Sequence, residues 1–134
     1  MEKKILFGTL GGAVAGTIVS MAIYMGIFGS MGEQWMQEHG ACLKEMNPTW
    51  WFVSAIVHGF LFAILFHKMG INTARNGAIT GAWIAFLIAT FFGISMASTY
   101  TAYSWDWLPL DILGNTVSSA VAGAAIGWIY SKVQ

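Results

Sequence analysis

Four long apolar runs, at 5–31, 49–67, 75–97 and 108–130, leave this chain few ways to fold. Each approaches or exceeds the ~20 residues that carry a helix across a hydrocarbon layer ~30 Å thick. Of the 134 residues, 57% are hydrophobic and 9% charged, whereas soluble domains carry about 25% charged residues. A water-soluble chain this short has too little interior to hide that much apolar surface. The expected fold is therefore all-α: an integral membrane four-helix bundle in one domain, with the lipid bilayer as solvent. The net charge is zero and no basic block occurs, which leaves a nucleic-acid partner without an electrostatic basis.

Lys3 and Lys4 precede the first run, as basic residues precede a secretory signal. The run is about twice as long as a signal's apolar region, so a retained span is expected. At 1.5 Å per residue it measures ~40 Å and should tilt or protrude. Residues 32–47 form a polar outer loop with Glu33, Glu38, Lys44 and Glu45. There Trp35, Met36 and Leu43 permit either a short helix on the membrane surface or an ordered loop. Asn47-Pro48 marks a helix start, with Asn as cap and Pro where its missing N–H is harmless. Gly70 suits the left-handed residue that ends the second span, and Thr73 caps the third. The short link from Gly70 to Ala74 predicts that these two spans are antiparallel neighbours. Pro109 and Asp111 open the fourth, the carboxylate being favoured there by the helix dipole.

Alternating spans place Lys3, Lys4, Lys68, Arg75 and Lys132 on one face of the membrane and only Lys44 on the other. Positive charge marks the cytoplasmic side, so both termini are expected to be cytoplasmic. Trp35, Trp50, Trp51, Trp105 and Trp107, with Tyr100 and Tyr103, form an outer aromatic belt, and Trp128 and Tyr130 an inner one.

Small residues recur every fourth position within the runs. Gly8, Gly12, Gly16 and Ser20 do so in the first span. Gly77, Gly81, Ala85, Ala89, Gly93 and Ala97 follow in the third, and Asn115, Ser119, Gly123, Gly127 and Ser131 in the fourth. The second has a shorter series, Ala55, Gly59 and Ala63, and is otherwise bulky, with Phe52, Phe60, Phe62 and Phe66. Such glycine-zipper spacing lets helix backbones touch, a main source of association in lipid. Three extended seams point first to a non-enzymatic protein that works by helix packing, as a homo-oligomer or as an accessory subunit of a larger membrane complex. Packing wholly within one chain is the simpler alternative.

Chemistry-bearing residues are few. His58 falls at the midpoint of the second span, where ionisable groups are costly and often functional. It either hydrogen-bonds a neighbouring helix or serves a haem, a quinone or a proton relay. A bis-histidine haem within one chain lacks a second deep His, because His39 and His67 lie outside the core. Asn115, with Thr116, Ser118 and Ser119, makes the fourth span the most polar. It admits either interhelical hydrogen bonds or the path of a small transporter or channel through His58, Asn115, Thr116 and Ser119. Asp111 lies near the outer boundary, where water is expected to solvate it. Cys42 is the sole cysteine and reads as an unpaired loop thiol. No nucleophile–base pair, metal-ligand spacing or phosphate-binding loop occurs, so neither an enzymatic reaction nor a resident cofactor or metal is expected.

The segment Ala22-Ile23-Tyr24-Met25-Gly26-Ile27-Phe28-Gly29, followed by Gln34-Trp35-Met36, resembles a group of small uncharacterised four-helix bacterial inner-membrane proteins. Ile23-Tyr24-Met25-Gly26 stands where that group has tryptophan-tyrosine-serine-proline. The resemblance implies four spans and a bacterial inner membrane, and it brings no activity with it.

Overall fold

The computed structural model describes residues 2–42, 44 and 47–133. The expectations for Leu43, Glu45 and the Cys42 thiol fall outside what is described. The fold is all-helical: α1 (Glu2–Met21) continues as a π-helical segment (Ala22–Ile27), followed by α2 (Gly29–His39), α3 (Pro48–Lys68), α4 (Ala74–Thr99) and α5 (Leu108–Lys132). Four of these, counting α1 with its π segment, are long and apolar enough to cross a membrane.

The helix ends follow their capping chemistry. Asn47 Oδ1 accepts from the Thr49 N–H at 3.0 Å, and Thr73 Oγ1 accepts from the Asn76 N–H at 3.2 Å. Each satisfies a backbone donor that the first turn leaves unpaired. Gly70 closes α3 with φ of +67°, a backbone conformation that a Cβ disfavours. The first apolar run does not continue to Met31. It breaks at Phe28, whose N–H bonds the Ile23 carbonyl five residues back at 3.0 Å. The Phe28 ring is buried edge-on between Tyr24 and Trp107. This anchor turns the chain into α2, a separate helix with no buried residue.

α5 is the centre of the bundle. α1 packs on one flank of it and α4 on the other, both antiparallel to it, and α3 packs mainly on α1. One end of the bundle therefore carries the start of α1, the α3–α4 link and the end of α5. The opposite end carries α2 and the α4–α5 loop. α3 and α4 are not close-packed neighbours, contrary to what their short link predicts. The reason lies in their small residues: the Gly59 face of α3 fits the α1 backbone at Thr9 and Ala13, whereas the α4 glycines fit α5.

Between α4 and α5 the contacts are backbone to backbone. A Cβ on Gly77 would meet the Gly123 carbonyl, one on Gly81 the Ser119 carbonyl, and one on Gly127 the Thr73 carbonyl. On the other flank, Gly12 and Gly16 admit Ile126 and Ala122 of α5. Gly8 makes room for the Tyr130 ring, whose hydroxyl crosses to donate to the Ala63 carbonyl of α3 at 2.7 Å. Tyr130 is thus a core residue tying three helices, not the interfacial anchor its position suggests, while Trp128 remains exposed. Phe62, Phe66 and Ile126 complete this core and are fully buried. Phe52 and Phe60 on α3 face outward.

Gly77→Ala is expected to destabilise the detergent-solubilised protein by about 1–3 kcal/mol in reversible unfolding, the usual range for overpacking. Gly26→Ala, where a Cβ meets nothing within 4 Å, should change stability by less than about 0.5 kcal/mol.

Candidate functional site

The tight core lies toward the end that holds the termini. At the opposite end the helices part, and two cavities flank α3. One, of about 620 Å³, lies between α1, α3 and α5 and reaches from Gly12 to Met25 along α1. The other, of about 400 Å³, lies between α3, α4 and α5. Both are walled by His58, Asp111, Asn115 and Ser119, so they adjoin on the central helix.

Asp111 organises this wall. Tyr24 Oη donates to Asp111 Oδ1 at 2.7 Å, and Tyr103 Oη donates to Oδ2 at 2.8 Å. Asn115 Nδ2 donates to Oδ1 at 3.1 Å and to the Asp111 carbonyl at 2.9 Å. The same amide reaches Tyr24 Oη at 3.1 Å, which closes a network across three segments. Both carboxylate oxygens accept, as suits the ionised form. Hydrogen bonds to a charged group contribute about 1.5–3 kcal/mol each. Burial, the hydrogen bond to Asp111 and the charge on Asp111 together push the Tyr103 phenol well above its ordinary range.

Local folding explains the convergence. The π segment widens the end of α1 at Tyr24, as such insertions often do at functional sites. Gly114 leaves the space into which Tyr24 Oη fits, 3.0 Å from where a Cβ would stand. Asp111 and Asn115 share a face of α5, one turn apart. Asp111 is therefore held by two phenols and an amide, not simply by water as its boundary position suggests.

Of the residues read from sequence as a polar path, His58, Asn115 and Ser119 line both cavities. Thr116 does not join them. Its hydroxyl donates back to the Ile112 carbonyl at 2.7 Å, which satisfies it on its own helix. The His58 ring packs against Phe62 at 4.7 Å and faces both cavities. Its alternative role, an interhelical hydrogen bond, is not formed among the described residues. His39 stacks on Trp35 and His67 lies against Tyr130, so neither approaches His58. Among the described residues no three His, Cys, Asp or Glu side chains gather as metal ligands.

The seam residues have partners inside the chain: Gly8, Gly12 and Gly16 meet α5, as do Gly77, Gly81 and Gly93, while Gly123 and Gly127 meet α4 and its cap. Ser20 lines the larger cavity, and Ser119 belongs to both the seam and the cavity wall. Tyr103 and the pairing of Asp111 with Tyr24 are what the sequence reading missed. The one available signal was the Asp111/Asn115 spacing at the start of a span.

Fold and site together define a multi-pass, all-helical membrane protein with two mostly apolar cavities that share one polar wall in one half of its bundle. No protein-family model, curated protein or solved structure matches the chain.

Tyr24→Phe and Asp111→Asn are expected to be coupled. A double-mutant cycle read by unfolding should give about 0.5–3 kcal/mol of interaction, and strict additivity would contradict the network.

Proposed function

We propose that this chain is a small non-enzymatic carrier or channel, in which a polar solute occupies the chamber beside Asp111. The observation that carries this reading is that two cavities share one polar wall, His58, Asp111, Asn115 and Ser119, within a largely apolar bundle. Ionisable groups within membrane spans mark solute and ion paths by default. Concave, mostly apolar sites with a few placed polar groups are the usual form of a small-molecule site.

Assembly into a homo-oligomer or a larger membrane complex was the first role suggested by the small-residue seams. That motive weakens because the seams on α1, α4 and α5 are occupied within the chain. A haem at His58 has less support, since the remaining histidines lie elsewhere.

The proposed setting is a bacterial inner membrane, in keeping with the resemblance around Tyr24 and Trp35. Five of the six Lys and Arg residues belong to the end that carries the termini, which supports cytoplasmic termini and a chamber in the outer half.

Accessibility tests the chamber directly. In a Cys42→Ser background, Ser20→Cys and Ser54→Cys should react with a small charged methanethiosulfonate at least about tenfold faster than Phe91→Cys, because apolar surroundings suppress the reactive thiolate. Ser20 and Ser54 line the larger cavity, whereas Phe91 is 70% exposed on the outer face of α4. Equal rates at the three positions would overturn the reading.

A further inference from the structure

Asp111 has three neutral side-chain donors and no basic one. Tyr24, Tyr103 and Asn115 supply hydrogen bonds of 2.7, 2.8 and 3.1 Å to its two oxygens. A carboxylate offers about four lone-pair sites, so one remains for a further donor. The chain does not supply a cation to fill it. Lys3, Lys4, Lys68, Arg75 and Lys132 belong to the far end of the bundle, and Lys44 is exposed in the α2–α3 connection. Among the described residues none of these forms an ion pair with Asp111. The positive end of the α5 dipole, which elsewhere attracts anionic ligands, is already occupied by this carboxylate.

The remaining lining selects further. Trp51, Tyr24 and Met25 border the larger cavity, and Phe62 and Phe92 the smaller. Aromatic faces attract cations electrostatically, and the apolar remainder of the walls favours a ligand with a hydrocarbon body. An inorganic cation instead needs a shell of several oxygens. Cavities of about 620 and 400 Å³ fall within the usual range for organic ligands.

We infer that the chamber binds a monovalent organic ammonium ion, its N–H donating to Asp111 and its apolar body lying against the aromatic lining. This rests on the chamber proposed above and adds the sign of charge and the class of ligand.

The test uses the full chain in lipid nanodiscs at neutral pH, with empty nanodiscs as control. Three probes of one shape differ in charge: phenethylammonium, 2-phenylethanol and phenylacetate. Calorimetric titration of the wild-type protein should show phenethylammonium binding at least about tenfold more tightly than the alcohol, as expected when a desolvated charge gains its counter-ion. Phenylacetate should not bind. Asp111→Asn should remove the preference, bringing the affinity for the ammonium down to that for the alcohol. If that variant does not fold, the wild-type series still decides the matter. Equal affinity for ammonium and alcohol, preference for phenylacetate, or no binding by any probe would overturn the inference. Thiol labelling at Ser20→Cys and Ser54→Cys judges the chamber separately: fast labelling with any of those three results leaves the chamber standing and removes only its cation preference.

Discussion

Close approach of α5 to the helices beside it, backbone against backbone with α4 and side chain into glycine groove with α1, is the constraint on which the rest of the structure depends. In lipid, burying apolar side chains against one another gains little, because hydrocarbon solvates them equally well. Dispersion between closely approaching surfaces and interhelical hydrogen bonds must hold the bundle together instead. Gly77, Gly81, Gly123 and Gly127 remove the side chains that would keep α4 and α5 apart, and Gly8, Gly12 and Gly16 do the same for α1. Tyr130 uses the groove at Gly8 to reach the α3 backbone, adding a polar tie where no water competes.

The same arrangement produces the chamber. α3 is fixed through Gly59, Ala63 and Phe66, all in its second half. Its first half, from Trp50 to Ser54, is exposed, so the bundle opens where those contacts end. Polar groups on α5 that face this opening have room for a guest. Asp111 is partly buried there, and a carboxylate drawn away from water is stabilised by hydrogen-bond donors. Tyr24 and Tyr103 meet that need by donating their phenol hydroxyls, one from the π segment of α1 and one from the α4–α5 loop. The network thus ties the π segment of α1 and the α4–α5 loop to the start of α5.

Much of the architecture was legible in the sequence because its causes are local. Four spans, the Asn47 and Thr73 caps, the left-handed Gly70 and the seam spacing each follow from residues a turn or two apart. The arrangement of helices was less legible. A short link suggested that α3 and α4 pack together, but a link limits distance and does not supply matching surfaces. Part of the cavity wall was visible: the depth of His58 and the register of Asn115 and Ser119 set them apart, and all three line both cavities. The centre of the site was not, because Tyr24 reaches Asp111 only through a π turn and through space opened by Gly114 eighty-seven residues or more away in sequence. The Thr116 hydroxyl was open to two uses, and its own helix took it.

Whether the small-residue seams close within one chain is the point most directly open to measurement. A Cβ built at Gly16 stands 3.2 Å from the Ala122 Cβ, close to the roughly 3.5–4.5 Å found across disulfides. In a Cys42→Ser background, Gly16→Cys combined with Ala122→Cys should oxidise in native membranes to an intrachain bridge, giving a monomer of altered mobility on a non-reducing gel. Dimers and higher multimers formed in place of that species would show that the α1 and α5 seams join different chains, contradicting the account.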